Sequence, residues 1–238
     1  MKNINIHNGL KTQLLCYLNN HIIGKNKVNP RPDIAVWESR SRHPMRSSGN
    51  KLKYGLSDCR RCIFDFRGEN NCVEIEDATV MRNIEIVIVG NKNYIHIGKA
   101  CGIYNVTITL FGENDRISIG DNCHFFCNDD RGIVMGGHGS DVIIEEDCLF
   151  APGAVVRSHD AHSIINISHD RSLNVGKSVI IGKHVWLATR ATVLKGSEVG
   201  AGSVVGTNTL ISNKKIPNNC LVVGNPCRIV KEEITWQI

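Results

Sequence analysis

An aliphatic residue returns at every sixth position near the C-terminal end of the chain, and this period constrains the fold more than any other feature. The aliphatic positions are Ile181, Leu187, Val193, Val199, Val205 and Ile211. The residue four places after each of the first five is small or β-branched: Val185, Ala191, Ser197, Ser203 and Thr209. A six-residue unit is too short for a helical repeat but fits one short strand and a turn. Three units make a triangular coil of about 18 residues, and stacked coils pair as parallel strands.

The two inward positions of each unit predict a narrow apolar prism with no room for aromatic rings. Only 5% of the residues are aromatic, whereas 22 of the 238 are glycine. Broken hexads start at Ile97, Ile119 and Ile144, and the segment 73–89 alternates like strands without a clean hexad. The sequence therefore predicts an all-β fold, a parallel β-helix over residues 71–238 with a short C-terminal tail. Residues 1–70 are interpreted as a smaller N-terminal cap, with a helix near Leu10 to Leu18.

The repeat stops after Val156, and residues 157–177 form a polar insertion rich in histidine. The polar residues of interest there are His159, Asp160, His162 and His169, and His184 and Trp186 follow on the resumed coil. Long loops on a rigid scaffold are frequent sites of function. Trp186 lies five places after the inward Ile181, so we expect it to point outward and to need cover from a neighbouring subunit or a ligand.

Three motifs resemble one known family. They are Ser158-His-Asp-Ala-His-Ser-Ile, Ile181-Gly-Lys-His-Val-Trp-Leu and the closing Gly224-Asn-Pro-Cys-Arg-Ile-Val-Lys. Together they resemble the hexapeptide-repeat, left-handed β-helix acetyltransferases, and in particular the sugar O-acetyltransferases that include enzymes for bacterial capsular polysialic acid. The resemblance implies acetyl-CoA as co-substrate, a hydroxyl of a sugar or polysaccharide as acceptor, and left-handed coiling.

The resemblance also assigns roles to individual residues. His162 takes the position of the catalytic histidine, whose neutral imidazole removes the proton of the attacking hydroxyl. Asp160 is a candidate to orient that imidazole, and Trp186 is expected in the active site. The residues expected to contact acetyl-CoA are Trp186, Ala188, Lys195, Gly206, Lys214, Arg228 and Lys231. His159 and His184 are secondary candidates. Ala188 and Cys227 stand where the family usually has Gly and Ala.

Cysteine and charge limit the other functions. Ten cysteines are spread from Cys16 to Cys227, mostly in apolar runs that suit reduced core residues. Cys59 and Cys62 form the single C-x-x-C of the sequence, and a structural zinc site usually needs a second pair at defined spacing, so no metal site is predicted. Residues 31–62 hold eight basic and three acidic residues and so carry the whole net charge of +5. Such a segment attracts anions, but no nucleic-acid-binding pattern accompanies it.

The family assembles as trimers with active sites in grooves between subunits. Outward apolar residues such as Trp186, Val204 and Leu210 suit that assembly, so a homotrimer is predicted in which His162 and Trp186 line one groove. No stretch approaches 18 apolar residues and the first ten lack a signal-peptide core, so the expected location is cytoplasmic, without a membrane span. The alternatives are transfer to a small acceptor (a nucleotide-sugar amine or an amino acid), a zinc hydratase of the carbonic-anhydrase type, and a non-catalytic scaffold.

Overall fold

The computed structural model describes residues 2–5, 34–38 and 49–237. The predicted helix near Leu10 to Leu18 lies outside these residues, as does much of the basic segment 31–62. Within the described residues the chain forms strands and tight turns and no helix.

Most of the strands are short, with two to four residues each. They are β1 (Lys2–Asn5), β2 (Ile34–Glu38), β3 (Lys51–Tyr54), β4 (Asp58–Arg67), β5 (Cys72–Ile75), β6 (Val80–Asn91), β7 (Tyr94–Ile97), β8 (Gly102–Tyr104), β9 (Val106–Glu113), β10 (Arg116–Ile119), β11 (His124–Phe126), β12 (Gly132–Gly137), β13 (Val142–Ile144), β14 (Leu149–Phe150), β15 (Val155–Arg157), β16 (Ile165–Asn166), β17 (Arg171–Ser172), β18 (Val179–Ile181), β19 (Trp186–Leu187), β20 (Thr192–Leu194), β21 (Glu198–Val199), β22 (Val204–Val205), β23 (Leu210–Ile211), β24 (Lys215–Ile216), β25 (Leu221–Val223) and β26 (Arg228–Lys231).

Apart from β16 and β17, which pair with each other, the described strands form the faces of a β-solenoid of about seven turns. Face one is the sheet β1-β3-β5-β7-β10-β13-β18-β21-β24. Face two runs β8-β11-β14-β19-β22-β25 and face three runs β9-β12-β15-β20-β23; the two join because the long strand β6 pairs with both β8 and β9. Neighbouring coils pair in parallel, which confirms the predicted parallel β-helix and is consistent with left-handed coiling.

The hexad positions lie inside the solenoid, as predicted. The six aliphatic positions from Ile181 to Ile211 are fully buried, and Ser197, Ser203 and Thr209 are at most 2% exposed. In this part Ile180 pairs with Glu198 of the next coil, 18 residues later. The buried hydroxyls are satisfied by backbone groups: Ser203 Oγ donates to the Pro217 carbonyl at 2.9 Å and accepts from the Cys220 N–H at 3.1 Å.

The earlier coils are longer, which explains why their hexads are broken. Cys72 pairs with Tyr94, and Tyr94 pairs with Arg116, so each of these coils takes 22 residues. The extra length lies on face three, where β9 has eight residues and where residues 85–91 of the 12-residue strand β6 pair with it. The expectation that the interior excludes aromatic rings is wrong in the longer coils, whose wider cross-section accommodates large side chains. The fully buried rings are Phe64, Phe66, Phe125 and Phe150.

A ladder of buried amides marks one corner of the longer coils. Asn50, Asn71 and Asn93 are at most 2% exposed and stand one coil apart. Each side-chain oxygen accepts from the backbone N–H of the next ladder residue at 2.9 to 3.0 Å. Each side-chain NH₂ donates to a glycine carbonyl, as from Asn71 to Gly90 at 2.9 Å. The ladder ends at Asp115, where burial raises the carboxyl pKa.

The solenoid extends on the N-terminal side of residue 71. Strand β3 pairs in parallel with β5, and β4 pairs in parallel with both β2 and β6. Residues 51–67 therefore stack on the following coil with the same parallel register as later coils. The division at residue 70 stays a prediction for the part of the N-terminal segment that is not described.

We predict that Leu187→Ala lowers the free energy of unfolding by about 2–5 kcal/mol, because it leaves a cavity in a fully buried hexad position. The matched control is Leu56→Ala, because Leu56 is 80% exposed and its loss is expected to change stability by no more than about 0.5 kcal/mol. Denaturant unfolding of both variants measures the difference. Equal destabilisation by the two substitutions would contradict the assignment of the core.

Candidate functional site

The insertion leaves the solenoid after β15 on face three and returns at β18 on face one. Its two ends meet where the Lys177 N–H donates to the Ser158 carbonyl at 2.9 Å. Ser158 is fully buried, and its hydroxyl lies 2.9 Å from that of Ser140. Within the insertion β16 and β17 pair antiparallel, so it projects as a short hairpin from a closed base.

Three side chains anchor the insertion to the coil. Lys195 Nζ donates to Asp160 Oδ2 at 2.5 Å and to the Asn174 carbonyl at 3.0 Å. Asn174 Nδ2 donates to the same Asp160 oxygen at 2.8 Å. The hydrogen bond from Lys195 holds the pKa of the Asp160 carboxyl below its usual value, and Asn174 adds to the effect. Lys195 lies just after β20 on the solenoid, so this cluster joins both limbs of the insertion to the rigid scaffold.

His162 lies exposed on this anchored segment. Its N–H donates to the Asp160 carbonyl at 2.8 Å, and its own carbonyl accepts from Asn174 Nδ2 at 2.8 Å. The backbone on both sides of the imidazole is thus fixed, whereas the described residues provide no hydrogen bond to the ring itself. The Asp160 carboxylate accepts hydrogen bonds from Lys195 and Asn174 and so anchors the segment, while its role in orienting the imidazole stays a prediction.

His159 is buried beneath the same segment, with only 3% exposure. Its Nδ1 accepts from the Ala161 N–H at 3.0 Å, and its Nε2 lies 3.1 Å from the Gly136 carbonyl. Its ring packs edge-on against His138 and Phe111, with centroids 4.6 Å and 5.7 Å away. Burial, and to a smaller extent the nearby His138, lower the pKa of His159 to about 4. The ring is therefore neutral at physiological pH.

Trp186 points outward from face two, as predicted, and the C-terminal tail partly covers it. The ring of Trp236 lies 6.1 Å from that of Trp186 and stacks on His184 at 4.2 Å. Trp236 Nε1 donates to the His184 carbonyl at 2.8 Å, and His184 Nε2 lies 3.1 Å from the Trp236 carbonyl. A shallow pocket of about 300 Å³ lies beside this stack, lined in part by His124 and Asp147.

The residues expected to contact acetyl-CoA fall into separate groups. Ala188 is buried. It follows strand β19, which contains Trp186, and Gly206 follows the paired strand β22 of the next coil. Lys214, Arg228 and Lys231 are exposed at the C-terminal end; Lys214 Nζ donates to the Cys227 carbonyl at 3.3 Å. Lys195 stands apart from all of these, since its ammonium group is bound to Asp160.

One chain does not bring all the predicted site residues together. His162 and Asp160 follow a strand of face three, whereas Trp186 belongs to a strand of face two. Sequence reasoning missed the roles of Asn174 and Trp236, whose partners Asp160 and His184 lie 14 and 52 positions away along the chain. Neither has a local sequence signal, because the contacts arise from the return of the insertion and of the tail.

Two further findings concern metals and membranes. Among residues 49–237 and the two shorter described stretches, no group of three or more His, Cys, Asp or Glu side chains is placed to hold a metal ion. Over the same stretches, no helix combines the length and apolar character needed to cross a bilayer.

The chain thus forms a solenoid of short parallel strands that carries a histidine-bearing insertion, as the sequence motifs predicted. No protein-family model matches the chain. No curated protein matches it either.

Several solved structures are similar to this chain. The chain is similar to the polySia-specific acetyltransferase NeuO, with 26% identity over 87% of this chain and 89% of that one, and a TM-score of 0.64. It is similar to the polysialic acid O-acetyltransferase OatWY, with 25% identity over 86% and 91% of the two chains and a TM-score of 0.67. These structures confirm the predicted resemblance and the predicted enzyme class.

A third structure is a hexapeptide-repeat acetyltransferase from Vibrio cholerae O1 biovar eltor, complexed with acetyl coenzyme A. It has 20% identity over 54% of this chain and 60% of that one, with a TM-score of 0.32.

We predict that Asp160 and Lys195 stabilise the fold jointly by about 1 kcal/mol, a modest value because solvent partly screens the pair. A double-mutant cycle with Asp160→Asn and Lys195→Met measures this coupling by denaturant unfolding. The control cycle uses Glu146 and Lys183, an ion pair of 2.7 Å that is far more exposed, for which no measurable coupling is expected. Purely additive effects at Asp160 and Lys195 would contradict the anchoring role.

We predict that stability falls as the pH decreases from about 6.5 to about 4, in part because of His159. Over this interval His159 stays neutral in the folded chain but becomes protonated in the unfolded chain. Protonation therefore lowers the free energy of unfolding by up to about 3 kcal/mol. His159→Asn removes this titration while His138, Arg157 and Asp160 remain. Its stability curve is expected to be flatter than that of the wild type in urea unfolding at pH 4 to 8. Identical slopes would contradict the depressed pKa.

Proposed function

We propose that the protein transfers acetyl from acetyl-CoA to a hydroxyl of an anionic surface polysaccharide, with His162 as general base. The observation that carries the proposal is an exposed imidazole on an anchored segment, in a fold shared with two polysialic acid O-acetyltransferases. The polar anchor Asp160-Lys195-Asn174 fixes the backbone on both sides of this ring, which suits a group that must meet a substrate in a defined position.

The chemistry needs one base and one acyl donor. The neutral His162 imidazole takes the proton of the acceptor hydroxyl as its oxygen bonds to the acetyl carbonyl carbon. Collapse of the resulting adduct breaks the carbon–sulfur bond. The departing CoA thiolate takes the proton back from the imidazolium, so the products are the acetyl ester and CoA, and the histidine returns to its neutral state.

Two observations support an anionic acceptor: the basic segment of this chain and its similarity to two solved structures. The segment 31–62 carries eight basic residues against three acids, and Lys51, Lys53, Arg60 and Arg61 are its described members. Both neighbours reported at TM-scores above 0.6 act on polysialic acid, a polyanion, according to their names. We therefore favour a sialic-acid-containing capsular glycan over a neutral sugar. Because acetyl-CoA is a cytoplasmic metabolite, we place the reaction in the cytoplasm.

We further propose that the active site forms between subunits of a homotrimer. His162 and Trp186 lie on different faces of one solenoid, so a site that contains both requires the segment of one copy and face two of another. The hairpin also exposes large apolar side chains that a second copy would cover. They are Ile164, Ile165, Ile167, Leu173 and Val175, between 48% and 99% exposed.

The proposal predicts acceptor-dependent release of CoA thiol, highest with a sialylated glycan and reduced about 10²-fold or more in His162→Ala. The matched control is His169→Ala, which removes another exposed histidine of the same insertion and is expected to keep wild-type activity. Thiol release from acetyl-CoA, followed colorimetrically with sialylated and neutral glycans, measures each rate. A His162→Ala variant as active as His169→Ala would exclude the base.

The intersubunit site predicts complementation between two inactive variants. In mixed trimers of His162→Ala and Trp186→Ala chains, some grooves combine an intact His162 from one copy with an intact Trp186 from the next. Each mixed trimer contains one such groove among its three, so the isolated mixed trimers are expected to show about one third of the wild-type activity. Co-expression with two affinity tags isolates the mixed trimers. No recovery, or sedimentation at the 26.3 kDa mass of a single chain, would contradict the proposed assembly.

A further inference from the structure

The buried imidazole of His159 is linked to the backbone that leads into His162. The Ala161 N–H, one residue before His162, donates to His159 Nδ1 at 3.0 Å. Ala161 has a φ of 67°, in the left-handed region that residues other than glycine seldom adopt. A side-chain acceptor that binds the N–H two residues later is the geometry of an Asx turn, here made by a histidine. The ring thus holds a strained turn at the start of the catalytic segment.

The second ring nitrogen ties the same imidazole to the scaffold. Because Nδ1 accepts from Ala161, the proton of the neutral ring lies on Nε2, which donates to the Gly136 carbonyl at 3.1 Å. Gly136 lies on β12, the strand next to β15 on face three. His138 and Phe111 pack edge-on against the ring and leave it 3% exposed. One side chain therefore connects a rigid strand to the turn before His162.

We propose that His159 is a positioning residue that sets the place of the His162 imidazole through its hydrogen bond to the Ala161 N–H. The inference rests on the proposed function of His162 and adds a residue that the acyl transfer itself does not use. Burial keeps the imidazole of His159 neutral, so Nδ1 stays a hydrogen-bond acceptor and Nε2 stays a donor. His159 touches neither substrate in this role.

Three substitutions separate the two hydrogen bonds from the packing. His159→Asn retains an acceptor near the Nδ1 position, His159→Gln retains a donor near the Nε2 position, and His159→Phe retains only the ring. If the bond to Ala161 positions His162, the Asn variant keeps kcat within about threefold. The Gln and Phe variants are expected to lose kcat about 10- to 100-fold with little change in KM for acetyl-CoA, since misplacement of a reacting group affects the chemical step.

The control is His138→Asn, which removes a ring that packs against His159 but leaves both hydrogen bonds of His159 in place. His138 has a φ of 56°, which asparagine tolerates well, so folding and kcat are expected to match the wild type. Thermal unfolding of all four variants identifies any general loss of structure. A loss of kcat that followed stability across the series, with His159→Phe as active as His159→Asn, would overturn the proposal.

Hydrogen–deuterium exchange supplies a readout that needs no substrate. Peptides spanning residues 159–164 are expected to exchange faster in His159→Gln and His159→Phe than in the wild type, and at the wild-type rate in His159→Asn. Equal exchange in all variants overturns the positioning role. If the wild type is inactive with every acceptor, the proposed reaction is wrong. If the variants still show these differences in exchange, the positioning role of His159 is supported all the same.

Discussion

The burial of one aliphatic and one small side chain in every hexad is the constraint on which the rest of the structure depends. From Ile181 to Ile211 the aliphatic positions have no exposed surface, and the small residues between them leave room for the close stacking of successive coils. Since each coil pairs in parallel with the next, the backbone N–H and C=O groups of neighbouring strands bond to one another along the described coils. The result is a rigid support whose outward positions are free to vary.

The proposed function is assigned to the place where this regularity is interrupted. The insertion closes through Ser158 and Lys177 and is tied down by Lys195, so it behaves as an anchored arm rather than a free loop. The support then presents His162 to solvent with its backbone fixed and its ring unbound. The same rigid stack places Trp186 on another face, and this separation is the physical reason to expect that neighbouring copies complete the site.

Most of the fold and part of the candidate site could be predicted from the sequence. The period-six pattern predicted the buried positions from Val179 onward, because 18-residue coils preserve it. The earlier 22-residue coils do not, although the spacing of 21 to 22 residues among Asn50, Asn71, Asn93 and Asp115 marks the same repeat in polar residues. The partner of Lys195 was not predictable, since Asp160 lies 35 residues away across an insertion without periodicity.

The most direct measurement is a crystal structure of the protein with CoA and a sialylated acceptor fragment. The account predicts CoA in a groove between two subunits. The CoA sulfur and the acceptor hydroxyl oxygen are expected within about 3–3.5 Å of each other, and the hydroxyl is expected to be hydrogen-bonded to the His162 imidazole. Trp186 of the adjacent copy is expected in the same groove. CoA bound within a single chain, or an acceptor hydroxyl held by another base with His162 facing solvent, would contradict it.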